Sequence, residues 1–247
     1  MQIKKHIPNI LTLLNLLSGS IAIVFAFEGL FHLAAVFVGI AAFFDFADGL
    51  AARVLKSYSE IGKELDSMAD MVSFGFTPAV VLFRLLQDAS SVSAIWVSDI
   101  NILPFIAFTI TIFSALRLAI FNVDTRQSEM FIGLPTPANA IFILSLPFAT
   151  HYGSYSSIWH PLFSWILANE WMLIGITLFF AWFLVARVSL FSLKFKNVKL
   201  TDNLVRYVFL AGSLILLLVF WWHAIPLIMI FYITLSMADY LAGKLNK

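Results

Sequence analysis

Cysteine is missing from this 247-residue chain, and charged residues make up only 12% of it. Without cysteine there is no disulfide framework, no thiolate metal site and no cysteine nucleophile, and nothing about redox compartment can be read. So few charges exclude an ordinary soluble domain, in which about a quarter of residues are charged. Internal repeats and low-complexity tracts are absent, and no polar connection is long enough to fold alone. The net charge of +1 offers no basic excess, and no nucleic-acid partner is expected. What the chain has is apolar residue, 61% of it, with a mean hydropathy of +0.95. A single all-α, polytopic membrane domain over residues 1–247 follows.

Eight apolar segments predict a transmembrane bundle of about eight helices, at 8–27, 30–54, 66–87, 101–121, 134–150, 170–192, 204–222 and 224–243. Cationic residues test that count independently, because they collect on the cytoplasmic side. Fourteen of the fifteen Lys and Arg residues fall at the termini or in alternate connections, leaving only Arg84 on the other side. Both termini are therefore expected in the cytoplasm. The outer connections carry interfacial aromatics, in the long stretch from His151 to Glu170 and in the Trp221-Trp222-His223 turn. Asn9, Thr12 and Asn15 interrupt the first apolar run, and no small-residue cleavage site follows it, so that run reads as a retained helix.

One stretch departs from this scaffold. Between residues 45 and 70 stand Asp45, Asp48, Asp66 and Asp70, at the ends of two apolar segments and on the cytoplasmic side. Helical spacing puts Asp45 and Asp48 on one face of segment two and Asp66 and Asp70 one turn apart on segment three. Ser57-x-x-Glu60 reads as a capping box opening segment three, with Lys56 to Ser59 as the turn of a hairpin that brings the two pairs together. Four like charges beside a bilayer repel one another unless a cation or proton compensates them. Oxygen ligands in that number suit Mg²⁺, Mn²⁺ or Ca²⁺, and two ions clamping a phosphate is the natural arrangement. Gly49, Ala52 and Gly62 let a bulky phosphorylated ligand approach the backbone, and Arg53 offers a bidentate phosphate contact or a positive-inside anchor. The competing class is a cation transporter, which needs acids near the bilayer midplane and access from both faces.

Asp45-x2-Asp48-Gly49-x2-Ala52-Arg53-x8-Gly62-x3-Asp66-x3-Asp70 resembles the complete signature of the CDP-alcohol phosphatidyltransferases. The resemblance implies a divalent-metal-dependent transfer of a phosphatidyl group from CDP-diacylglycerol to an alcohol, releasing CMP, at a bacterial cytoplasmic membrane. By position, Asp45, Asp48, Asp66 and Asp70 would hold Mg²⁺ or Mn²⁺, two ions per site, with Ca²⁺ a substitute in a structure. Asp70 would also be the base that deprotonates the acceptor hydroxyl. Gly49, Ala52, Arg53 and Gly62 would line the nucleotide and diphosphate. The resemblance extends that lining to Asn9, Thr12 and Asn15, which could equally be helix–helix hydrogen-bonding groups. A six-helix core, usually dimeric, would occupy residues 1–192, leaving 204–243 as an additional helix pair.

The stretches Ile7 to Asn15, Gly62 to Gly75 and Ala115 to Asn122, with Gly133-Leu134-Pro135, are similar to the membrane-embedded phosphatidylserine synthases, over roughly residues 5–140. That similarity makes serine the expected acceptor; glycerol 3-phosphate, inositol or inositol phosphate is the alternative. Those enzymes commonly carry a basic residue where this chain has Ile120. Lys63, Arg117 and Arg126 are the cytoplasmic cations available to a serine carboxylate, although Arg117 could simply mark the inner end of segment four. The larger basic cluster at 187–206 reads as topology and anionic-lipid contact.

Overall fold

The computed structural model describes residues 3–89, 95–123, 131–155, 157–191, 199–200 and 202–243. Helix α1 (Ile3–Phe27) runs into α2 (Phe31–Leu55) through a turn at Gly29, whose φ of 73° suits a residue without Cβ. These two helices meet through small side chains, Ala22 and Ala26 on α1 and Ala34, Val38 and Ala41 on α2, all buried. Close backbone approach of this kind holds helices together where lipid removes the hydrophobic drive between them.

Helix α2 ends at Lys56, a left-handed residue with φ of 49°, whose N–H reaches the Ala52 and Arg53 carbonyls. The Ser57 N–H bonds the Ala52 carbonyl at 3.0 Å, so Ser57 closes α2. It does not open the next helix. The cap of α3 (Glu60–Asp70) is Ser59, whose Oγ accepts from the Gly62 N–H at 3.0 Å, which corrects the expected Ser57-x-x-Glu60 box.

Without a break, α3 passes into a π-helical stretch, Met71–Phe76, and then α4 (Thr77–Ala89). Pro78 lacks the N–H that would bond one turn back and crowds the carbonyl there, a physical reason for the widened turn before it. Thr77 Oγ1 compensates, donating to the Val72 carbonyl at 2.8 Å and lying 3.3 Å from that of Gly19 on α1. Ser73 Oγ donates to the Asn15 carbonyl at 3.0 Å. The Glu60–Ala89 run is the hub, with 72% of its most apolar window buried.

A short antiparallel pair, β1 (Trp96–Val97) and β2 (Ile100–Asn101), precedes a 3₁₀ segment, Leu103–Phe108, and α5 (Thr109–Val123). Helix α6 (Thr136–Tyr152) starts at Pro135 as expected of a proline at a helix entrance. Strand β3 (Phe131–Ile132) pairs antiparallel with β4 (Ser189–Leu190), so segment six stops as the helix α8 (Glu170–Val185) rather than running to 192.

The stretch from His151 to Glu170, read from sequence as a connection, contains helix α7 (Trp159–Ala168), bent by 88° from α8. Asn169 makes the corner, its Oδ1 accepting the Met172 N–H at 3.1 Å. Helices α9 (Leu204–Phe220) and α10 (Ala224–Leu241) are joined by the 3₁₀ turn Trp221–His223. They lie side by side: the Phe209 ring stands 6.0 Å from that of Phe231, residues that a straight helix would separate by about 33 Å.

All eight predicted apolar segments are therefore helical. Among the described residues, five helical runs are long and apolar enough to cross a bilayer, with α9 and α10 counted as one run, and six if α7 and α8 form one broken span. The chain is an integral membrane protein of all-α architecture.

Candidate active site

Helices α2 and α3 carry the acids, and the tight Lys56–Ser59 turn folds the helix ends against each other. The carboxylate oxygens of Asp45, Asp48 and Asp66 come within 4.8 Å of one another. Asp48 is buried, and Asp45 and Asp66 are half-buried. Asp70, one turn beyond Asp66, lies outside that trio but within electrostatic reach of all three.

Helix α1 supplies the hydrogen bonds that aim these groups. Thr12 Oγ1 donates to Asp48 Oδ2 at 2.6 Å, and Asn15 Nδ2 donates to Asp70 Oδ1 at 3.2 Å. Residues 12 and 15 share a face one turn apart, so a single helix orients one carboxylate from α2 and one from α3. For Thr12 the structure places the hydroxyl on a carboxylate of the neighbouring helix. Asn15, which the sequence leaves without a settled role, reaches Asp70.

Beside the trio opens a cavity of about 250 Å³, lined among others by Asn9, Thr12, Asp48, Gly49, Ala52, Arg53, Gly62, Lys63 and Asp66. Every residue expected on the nucleotide and diphosphate thus meets in one place. The two glycines serve differently. A Cβ on Gly49 would meet nothing within 4 Å, so that position is open space over the α2 backbone; one on Gly62 would stand 2.9 Å from Ser59 Oγ and 3.0 Å from Asn9 Oδ1. Gly62 is needed for packing, and Gly49 leaves room. Asp45 and Asp70 do not line this cavity.

The three cations expected near a serine carboxylate separate. Lys63 lines the cavity, and its Nζ donates to the Asn122 carbonyl at 2.8 Å, at the C-terminal end of α5. Asn122 Nδ2 in turn donates to Ser67 Oγ at 2.7 Å, tying α5 to the acid-bearing helix. Neither Asn122 nor Ser67 is recognisable from sequence as part of the site. Arg117 is buried within α5, its guanidinium 5.2 Å from the Phe121 ring centre, and does not line the cavity. Arg126 lies outside the described residues.

Hard oxygens make up the whole donor set, and Asp66 Oδ1 is buried with no hydrogen-bond partner. An orphaned buried acceptor costs about 1–3 kcal/mol, and three carboxylates this close repel, so a cation is the group these residues fit. The Asp45, Asp48 and Asp66 trio could hold a metal ion. Site and fold agree with the comparison to known proteins: the model of the CDP-alcohol phosphatidyltransferase family matches residues 5–182.

The chain belongs to the CDP-alcohol phosphatidyltransferase family.

Relatives within that family narrow the likeness. A CDP-diacylglycerol–serine O-phosphatidyltransferase of Bacillus subtilis is 36% identical over 147 residues, 58% of this chain and 76% of that protein. The enzyme of the same name from Mycobacterium bovis is 33% identical over 179 residues, 68% of this chain and 59% of its own length. An archaetidylserine synthase of Methanothermobacter thermautotrophicus is 32% identical over 153 residues, 61% of each chain. For the mycobacterial and archaeal relatives the matched part is thus less than two thirds of their length. As a member of the phosphatidyltransferase family, the chain carries its signature on α2 and α3, inside the matched region.

Proposed function

We propose that this protein transfers the phosphatidyl group of CDP-diacylglycerol to L-serine, giving phosphatidylserine and CMP. The observation that carries this reading is the convergence of the acid trio, Arg53 and the open space over Gly49 at one cavity. The names of the Bacillus and Mycobacterium relatives support serine as the acceptor.

In this reading the diphosphate lies against Gly49, Ala52 and Gly62, where the backbone is accessible, and the Arg53 guanidinium takes its oxygens in a bidentate contact. The nucleotide extends past Asn9. Asp45, Asp48, Asp66 and Asp70 would hold Mg²⁺ or Mn²⁺, two ions per site. A bound divalent cation supplies neutralisation of the diphosphate and of the departing CMP.

Asp70 accepts the proton of the serine hydroxyl, and that oxygen attacks the phosphorus bearing the diacylglycerol. The bond from that phosphorus to the CMP phosphate breaks, and CMP leaves with the electron pair. The Asn15 amide lies against Oδ1 of Asp70, 3.2 Å away, which leaves Oδ2 as the basic atom. Lys63 supports the serine carboxylate: its ammonium has three donors, and the Asn122 carbonyl uses one.

The carboxylates sit at one end of the hairpin, which favours this enzyme over an ion path across the bilayer. The Lys and Arg distribution faces that end, and both termini, to the cytoplasm, where water-soluble CMP departs while acyl tails remain in lipid. The family match ends at residue 182, which supports a catalytic core in 1–192 with α9 and α10 as an addition. A homodimer is the assembly we assign, from the habit of the family.

Purified protein offered CDP-diacylglycerol with equal serine, glycerol 3-phosphate and inositol 1-phosphate tests the acceptor. Phosphatidylserine is expected as the main lipid product, matched mole for mole by CMP. A phosphatidylglycerophosphate or phosphatidylinositol phosphate product would replace serine in this reading.

A further inference from the structure

Asn15 is completely buried, yet it is only half satisfied. Its Nδ2 donates to Asp70 Oδ1 at 3.2 Å, while its own Oδ1 is buried with no hydrogen-bond partner. A buried amide oxygen left unpaired is costly, and in most proteins it finds a donor or a cation. The main chain leaves Asn15 little freedom to move away, because its carbonyl accepts from Ser73 Oγ at 3.0 Å in the π-helical stretch that follows Asp70. Thr12, the other polar group on this face of α1, is spent on Asp48 and has no such orphan.

The second orphan nearby is Asp66 Oδ1, on the turn of α3 before Asp70. Two buried oxygen acceptors without donors therefore belong to residues next to Asp70, one bonded to it through its amide nitrogen and one a turn before it on α3. A half-turn of the Asn15 amide about its terminal bond exchanges nitrogen and oxygen. Its oxygen then stands where Nδ2 stands now, 3.2 Å from Asp70 Oδ1. Oxygens sharing one octahedral ion with bonds of about 2.1 Å lie about 3 Å apart, so the spacing of these two atoms is that of neighbouring ligands on one ion.

We propose that Asn15 is a fifth protein ligand of the cation site, giving its amide oxygen to the ion that Asp70 holds. The inference rests on the metal reading given above. It adds a neutral ligand from α1 to a set otherwise drawn from α2 and α3, and so makes the cation the point at which three helices are joined. A neutral oxygen also lowers the negative charge per ligand, which suits a site that must admit a diphosphate as well.

The absence of cysteine from the chain makes the test clean. Mn²⁺ binding to detergent-solubilised protein is measured by electron paramagnetic resonance for the wild type, Asn15→Ala and Asn15→Cys. Cd²⁺ titrations of Asn15→Cys and of Ser20→Cys, a control on the exposed face of α1, follow the ultraviolet cadmium–thiolate band. Asn15→Ala should bind Mn²⁺ about tenfold more weakly, a loss typical of perturbed metal sites. Asn15→Cys should develop the thiolate band with Cd²⁺, displaceable by Mn²⁺, because a soft ligand in the coordination sphere selects a soft ion. Ser20→Cys should give no displaceable band.

Wild-type Mn²⁺ affinity in Asn15→Ala overturns the assignment, and so does an Asn15→Cys protein without the band. If Asn15→Ala fails to fold, the cadmium arm decides by itself. A wild-type protein that binds no Mn²⁺ would instead bring down the metal reading on which the assignment depends.

Discussion

Two cavities at opposite ends of the bundle contrast, and the roomier of the two is not the one where acids converge. At the end away from the aspartates, the outer end, about 460 Å³ opens among Tyr152, Ser154, Ser157, Trp221, Trp222 and His223; at the aspartate end, the inner one, the cavity measures about 250 Å³. The outer lining is rich in aromatics, as befits headgroup depth, and its rings contact other rings: Tyr152 lies 6.1 Å from Trp222, and His223 lies 5.8 Å from Phe163. Such contacts fill space and anchor the bundle in the interface. The inner cavity gathers acids from two helices, one of those acids aimed by a hydroxyl donor from a third, around a glycine that leaves room for a ligand. Convergent polar groups, held by short hydrogen bonds and placed where apolar helices end, mark a reactive site; volume alone does not.

That contrast is broken most severely by Asp70→Asn, which keeps the size of the side chain and removes its basicity. Turnover should fall by about 10³-fold, within the range general bases supply, while thermal stability in detergent stays near that of the wild type. Full turnover in the variant would transfer the base role elsewhere. The smallest effect on activity is expected at the outer end. His223 is 1% exposed and sits against Gly153, where a Cβ would meet its imidazole. His223→Ala should lower the melting temperature, by a cost of about 1–3 kcal/mol for lost buried packing, yet leave turnover per folded protein within about twofold. A hundredfold loss of turnover there, at unchanged stability, would erase the distinction between the two ends.

The inner site was largely legible in the sequence, because its spacing is helical and its residue types are out of place in lipid. Asp45, Asp48, Asp66 and Asp70 could be paired from periodicity, and the hairpin that unites them was read from a turn at Lys56 to Ser59, which holds although Ser59 and not Ser57 caps α3. Contacts across helices were not legible. Asn9, Thr12 and Asn15 recur every three residues along α1, which shows that they share a face but not which helix that face meets. Thr12 went to Asp48 and Asn15 to Asp70 only once α1 lay against both hairpin arms. Lys63 could be named as a cation near the site, while its bond to a carbonyl at the end of α5 depends on tertiary placement.

Local chemistry misled in three places for reasons that are physical. Ser57 and Ser59 both precede acid-containing turns, and the left-handed Lys56 decided between them by drawing the Ser57 N–H back to Ala52. The α7 helix is only ten residues long and opens on Trp159-His160-Pro161, a composition that also suits an interfacial connection. Segment six ended early because Ser189 and Leu190, apolar enough in sequence to continue α8, pair with β3 instead.

The most direct test of the central claim, that the aspartate end of the hairpin is a cation-assisted phosphatidyl-transfer site, is CMP release by the purified protein from CDP-diacylglycerol and serine. The measurement is made with Mg²⁺ or Mn²⁺, with a chelator, and with the ion restored. CMP release is expected with the ion, loss of it to background with the chelator, and recovery on restoration. Undiminished CMP release in the presence of chelator, or no release with any divalent ion, would contradict it.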